Sequence, residues 1–313
     1  MLGWAVIAVR LLVLAATLVL FGATAFFSYG LAPRGLPFAN RQIRWPRVLA
    51  LIAAGSALFA SLLWLVLEAA TLGGSSADAM NTGELWLLIT QTHFGQIGAF
   101  RCVLLVFILA MLAALGFHRR RLWAMHSLLA AVVLGSLAWT GHGHMNSGIP
   151  GWVHLGGDLM HLLTAGLWIG ALVPLCVLVM SSQRRDGAWS EREIAYALTR
   201  FSAIAVPVVA VLLLSGIINS WFLIGPAVWR SPLTTLYGRL LFVKLALFVL
   251  MLALAAINRV RLTPGLQRAA ALQSNAGVLP VLRATILAET TLAMLVLGLV
   301  AMIGTLEPPI GAN

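Results

Sequence analysis

The sequence predicts an all-α polytopic membrane protein, a helix bundle with about eight transmembrane helices, and three observations carry that prediction. Hydrophobic residues make up 61% of the 313 residues and charged residues only 9%, against roughly 25% charged in a soluble globular domain. Mean hydropathy is +0.99. Apolar runs of about 20 residues, long enough to cross a bilayer core as a helix, recur along the chain. The basic residues gather in alternate loops, as they do in chains that cross a membrane repeatedly. Helices tolerate lipid because they satisfy their own backbone hydrogen bonds.

The first span lies near residues 4–29. Ala23-Thr24-Ala25 resembles a leader cleavage site, but no basic residue precedes Arg10 and the next loop is rich in Arg, so a retained first helix is expected. The second span, near 48–70, follows loop 30–47 with Arg34, Arg41, Arg44 and Arg47. Segment 71–93 carries Asp78, Glu84 and a Trp86-Leu87-Leu88 patch, expected to lie on the membrane surface. The third and fourth spans, near 94–117 and 122–140, flank Arg119, Arg120 and Arg121. The fifth, near 154–180, is followed by loop 181–200 with Arg184, Arg185, Arg192 and Arg200. The sixth and seventh lie near 201–224 and 238–258. Loop 259–283 holds Arg259, Arg261, Arg268 and Arg283, and the eighth span lies near 283–305.

These four loops hold fifteen of the 20 basic residues, and the other loops and ends hold only Arg230. The positive-inside rule makes the Arg-rich loops cytoplasmic, so both termini are expected in the periplasm of a bacterial inner-membrane protein. The net charge of +11 is thereby explained without nucleic acid. A single transmembrane domain over 1–313 is expected. No P-loop or soluble catalytic domain is visible, so ATP-driven transport and enzymatic function are not expected. Cys102 and Cys176 lie inside apolar runs with no CxxC, which argues for small packing residues rather than a disulfide or thiolate cage.

The chemistry concentrates between Gly141 and Leu175, in GHGHMNSGIPGWVHLGGDLMHLLTAGLWIGALVPL. His142, His144 and Met145 lie in the outer loop, and Gly148-Ile149-Pro150-Gly151 makes a turn. His154, Asp158 and His161 follow at i, i+4 and i+7, which places them on one helix face. Seven residues at about 1.5 Å rise separate the two histidines by roughly 10 Å. With metal–nitrogen bonds of about 2 Å, one ion cannot take both from a straight helix. The stripe suggests a site plus a relay, or two sites, with the loop residues folding over. Imidazole with thioether suits copper, as Cu(I) or Cu(II) for His and mainly Cu(I) for Met. Asp158 is a carboxylate within a span, which is costly and usually functional; it also suits orienting His161. His93, at the outer start of the third span, is a further candidate ligand. Met80, Met160 and Met302 also map to the outer side, where packing is the simpler reading.

Other ionisable groups lie inside spans. Arg10, Arg101, Lys244 and Glu68 map to the outer half with Asp158. They suit either helix-to-helix charge pairing or tuning of an ion path. His126 and Glu289, in the inner half, and Asn219, in the sixth span, are candidates for an inward continuation.

The segment from 141 to 175 resembles the corresponding part of the CopD family, the bacterial copper resistance protein D. So do Phe201-Ser202, Ser215-Gly216-Ile217-Ile218-Asn219, Thr235-Leu236-Tyr237-Gly238-Arg239, Lys244 and Asn258-Arg259. The resemblance covers nearly the full chain in length and layout and is most specific over 141–260. It implies copper movement across the inner membrane, usually proposed as inward, beside a periplasmic copper carrier of the CopC type. His142, His144, His154, Asp158 and His161 occupy the matching motif. No carrier domain is fused within these residues, so that partner is expected as a separate protein. Two other readings remain: a membrane b-type cytochrome with bis-His haem ligation, pairing His161 with His93 or His126, and a copper-binding sensor or assembly partner that does not transport.

Overall fold

The computed structural model describes residues 2–30, 44–74, 81–114, 120–140, 148–181, 190–228, 233, 235–272 and 277–306. Among these residues there are helices and no strands. Eight stretches are long and apolar enough to span a membrane: Gly3–Tyr29, Trp45–Gly73, His93–Ala114, Arg121–Thr140, Gly148–Ser181, Glu191–Leu223, Leu236–Leu272 and Val278–Ile303.

Helix α1 (Leu2–Tyr29) is the hub of the bundle, packing on α2 (Trp45–Gly73), α5 (Arg120–Gly135), α7 (Ala171–Ser181) and α11 (Val278–Ile303). Its interior face buries Val13, Leu18, Leu20, Ala23 and Phe26. It also meets the π-helical turn Gly166–Gly170 that joins α6 (Gly148–Ala165) to α7. There a Cβ on Gly22 would strike the Gly166 carbonyl, and one on Gly170 would strike the Leu18 carbonyl. Close backbone approach through small residues is how helices associate in lipid, where apolar surface gives no preference for one neighbour over another.

Helix α2 starts with Pro46 in its first turn, where a missing N–H has no helical partner to lose, and ends at Gly74 with φ 81°. The Trp86-Leu87-Leu88 patch forms a separate short helix, α3 (Thr82–Gln91), capped by Asn81, whose side chain accepts from the Gly83 N–H at 2.9 Å. Leu88 is 1% exposed, while Trp86 and Leu87 face outward. Helix α4 (His93–Ala114) packs on α2, α3 and α5.

Proline shapes two of the spans. Pro174 has no N–H to offer the Gly170 carbonyl, and the π turn Gly166–Gly170 lies immediately before α7. Likewise Pro264 follows a second π turn, Asn258–Leu262, which joins α9 (Leu236–Ile257) to α10 (Thr263–Leu272). The spans α6–α7 and α9–α10 are therefore continuous but locally widened. Helix α8 (Glu191–Val228) packs on α6 and α10, and α9 packs on α11.

Successive spans run antiparallel. One end of the bundle, the terminal end, carries Arg10 beside Gly304. At the other, the arginine-rich end, Arg47 donates to the Leu112 carbonyl (3.0 Å) and the Ala113 carbonyl (2.6 Å), and Arg283 Nε donates to the Val179 carbonyl (3.2 Å). Each arginine thus serves carbonyls near the last turn of a neighbouring helix, where cations are favoured.

The span count agrees with the sequence, but the fifth span takes in Gly148–Gly151, expected as a turn, as the first turn of α6, and two further helices are longer than hydropathy indicated. Helix α8 begins at Glu191 rather than near 201, and the α9–α10 helix runs to Leu272 rather than 258. At about 1.5 Å per residue these exceed a bilayer core of about 30 Å. Their polar extensions pack together beyond the apolar zone, where Gln267 Nε2 donates to Thr199 Oγ1 at 2.7 Å.

Candidate functional site

The stripe His154, Asp158, His161 lies along the seam between α6 and α8. His154 is 2% exposed and its ring stacks on Phe222, with centroids 4.8 Å apart and planes 10° apart. One turn on, Asp158 Oδ1 accepts from Asn219 Nδ2 at 3.2 Å. Another turn on, His161 Nδ1 lies 3.2 Å from Ser215 Oγ. Each step down α6 is matched by a step back along α8, so the spacing of the stripe is answered by an antiparallel partner. Two glycines permit the approach. A Cβ on Gly157 would meet Ile218 at 2.8 Å and Asn219 Oδ1 at 3.0 Å, and a Cβ on Gly216 would sit 3.4 Å from His161 Cε1.

The seam is polar but not saturated. Asn219 Oδ1 is buried with no hydrogen-bond donor among the described residues. Lys244, partly buried on α9, acts electrostatically on both Asp158 and His161. Four polar side chains from two helices thus meet near the terminal end, Asp158, His161, Ser215 and Asn219, with Lys244 within electrostatic reach on a third.

The other candidates fall in different places. His142, His144 and Met145 lie outside the described residues. His93 is exposed at the first position of α4. Among the described residues no three His, Cys, Asp or Glu side chains come together closely enough to hold a metal ion. His126 is buried on α5, with Nδ1 2.6 Å from the Leu122 carbonyl. Helix α5 packs on α1, α4 and α6, whereas Glu289 is on α11, which packs on α1, α7 and α9. The two inner-half candidates are therefore not brought together. The haem alternative needs a second histidine across from His161, and the partner on its Nδ1 is Ser215.

The outer cations are accommodated differently from simple charge pairing. Arg101 is 1% exposed, yet its Nε donates to Ser136 Oγ at 2.8 Å and its terminal nitrogen to the Ser136 carbonyl at 3.3 Å. Its guanidinium also lies 5.9 Å from the Trp64 ring, on which Arg10 sits at 5.3 Å. Glu68 is the electrostatic partner of Arg10. A tryptophan face and a serine thus do for Arg101 what a carboxylate was expected to do.

A second polar cluster surrounds Glu289, which is 1% exposed. Trp168 Nε1 donates to Oε1 at 3.1 Å and Asn258 Nδ2 donates to Oε2 at 3.0 Å. Thr285 Oγ1 donates to Asn258 Oδ1 at 2.6 Å, which sets the amide so that its NH2 faces the carboxylate. Both donors come from the π turns, Trp168 from the first and Asn258 from the second. Sequence reasoning named Glu289 but missed Trp168 and Thr285 as partners. The available signal was the proline shortly after each π turn, since widened turns recur at functional sites.

Comparison with known proteins agrees with this architecture. Residues 1–152 match the family model described as the copper resistance protein D-like N-terminal domain, and residues 195–303 match that of copper resistance protein D. The chain is 34% identical to copper resistance protein D of Pseudomonas syringae pv. tomato over 310 residues, 98% of each chain. It is 28% identical to the inner membrane protein YebZ of Escherichia coli (strain K12), covering 98% of this chain and all of that one. With the copper transport protein CutJ of Bacillus subtilis (strain 168) it shares 29% identity over 197 residues, 60% of this chain and 34% of that one. No solved structure matches. By near-full-length identity and by both family models, this multi-pass inner-membrane chain belongs to the copper resistance protein D family.

Proposed function

We propose that the protein carries copper ions across the inner membrane, from the periplasm toward the cytoplasm, with no catalytic step. The observation that carries this reading is the inward orientation of His154, Asp158 and His161, which all face α8 rather than lipid. Ionisable groups turned into a bundle mark ion pathways. Imidazole and carboxylate are donors for copper, and the donorless Asn219 oxygen beside Asp158 suits a nearby cation.

The described residues supply only part of a coordination shell. The segment joined directly to Gly148 carries His142, His144 and Met145, and we assign the remaining donors to it. The Arg-rich loops support a periplasmic position for the seam by the positive-inside rule, and with that orientation a separate periplasmic carrier of the CopC type is the natural donor of copper. The names of the Pseudomonas and Bacillus relatives, resistance and transport respectively, favour the same cargo.

The test is Cu(I) flux into proteoliposomes, which also separates transport from binding alone. Asp158→Asn and His161→Ala are expected to lower the flux by about tenfold or more, the scale for loss of a metal-site group. Wild-type flux in both variants would overturn the assignment.

A further inference from the structure

We propose that Glu289 is a proton-binding site, loaded from the arginine-rich side through a cavity between α8, α9 and α11, and linked to copper occupancy of the α6–α8 seam. The link rests on the copper-transport reading; the proton site does not.

The cavity has a volume of about 230 Å³ and is walled by Phe201, Val209, Leu252 and Ile286, with Glu289 and Arg259 as the two charged groups among its described lining residues. Its walls are mostly apolar, but Ser202, Asn258, Arg259 and Thr263 join Glu289 as polar lining groups, and its volume admits several water molecules beside them. Arg259 is engaged with Ser202, donating to its backbone carbonyl and, at 3.2 Å, to its Oγ. Among the described residues, the side chains that hydrogen-bond Glu289 are uncharged. Helix α1 has no charged side chain between Arg10 and Tyr29. From α7 the titratable neighbour is Cys176, beside Thr290. On α11 itself Arg283 is engaged with the Val179 carbonyl.

The donor set selects the ligand. Each carboxylate oxygen already accepts one N–H, and both N–H groups point their positive ends at it. A metal ion would need several further donor atoms, and the described residues hold no group of three ligand-type side chains. A proton needs one remaining lone pair. It is exchanged with cavity water, and only the O–H bond forms or breaks.

The link runs through one helix. Asp158, His161, Ala165 and Trp168 recur at three- and four-residue spacing, a single stripe along the α6 span. From Asp158 to Trp168 is about 15 Å along the axis. Trp168 also touches Phe248, with ring centroids 5.8 Å apart, and Phe248 lies one turn beyond Lys244. Seam and carboxylate therefore share two continuous spans, each widened at the residue that donates to Glu289. A cation arriving at the seam stabilises a carboxylate below it over the neutral acid, so copper binding is expected to release the proton into the cavity.

Infrared difference spectroscopy of the full-length protein in lipid tests both parts. A pH jump without copper should produce a carboxylic-acid C=O band that is lost in Glu289→Gln and displaced in Trp168→Phe, which removes one hydrogen bond to the same group. Adding Cu(I) at constant pH should bleach that band in the wild type. A band that persists in Glu289→Gln and does not move in Trp168→Phe overturns the proton site. Copper bound with no bleaching overturns the link and leaves the transport reading standing. Absence of copper binding overturns the transport reading and the link together, while the pH jump still decides the proton site.

Discussion

At the α6–α8 seam Asp158 accepts one hydrogen bond and Asn219 keeps a buried oxygen without a donor among the described residues, whereas Glu289 on α11, met by Trp168 about three turns further along the α6–α7 span, has an N–H on each carboxylate oxygen. The first cluster leaves acceptor capacity unspent near the terminal end. The second is held by three helices and fixed by an amide that is itself oriented by Thr285. An unsaturated set of donors can take an ion and give it up. A carboxylate held by two donors is pre-set in position and exchanges the one ligand that needs no coordination shell. The difference teaches that polar groups in one membrane bundle serve distinct ends according to how fully their neighbours satisfy them.

The contrast can be broken by truncating both acids. Glu289→Ala leaves two buried N–H donors without acceptors and is expected to cost about 2–4 kcal/mol, from roughly 1–2 kcal/mol for each orphaned group. Asp158→Ala orphans one donor and is expected to cost about half as much. Thermal unfolding of the two variants in the same lipid measures this, and an equal or reversed order of midpoints would show that the two clusters are not built differently. Trp168→Phe is next in size. It removes one of the two donors to Glu289 while keeping an aromatic ring against Phe248, and about 1–2 kcal/mol is expected. The smallest effect belongs to Ser215→Ala, which takes the partner from His161 Nδ1. A stability loss of about 0.6 kcal/mol, the usual interhelical value in membranes, should accompany weaker copper retention in an equilibrium competition with a Cu(I) chelator. Unchanged retention would remove Ser215 from any role in orienting His161.

Much of the first cluster is legible in the sequence. The i, i+4, i+7 placement of His154, Asp158 and His161 puts them on one face, and that face is buried against a neighbour as a costly polar stripe in lipid must be. Asn219 is recognisable as a polar group in an apolar helix. What the spacing does not reveal is which residue answers which: Phe222, Asn219 and Ser215 become partners only because Gly157 and Gly216 let the two helices approach. Charge pairing, one of the two readings of Arg101, did not anticipate Trp64 and Ser136 for a similar reason, since they are satisfactory partners with no charge to advertise them. Hydropathy also shortened α8 and the α9–α10 helix, because their ends are helical but polar.

By itself the sequence determined the number of crossings, the side on which arginine collects and the polar stripe of α6, because each follows from the chain's own periodicity and the solvation cost of charge in lipid. Only the tertiary structure decided that Trp168 and Asn258, 121 and 31 residues from Glu289, would meet it from two π turns. In a bilayer the surface of every helix is apolar, so hydrophobicity does not rank possible neighbours. Close packing at Gly22, Gly166 and Gly170 does, and that information exists only once the helices are in contact.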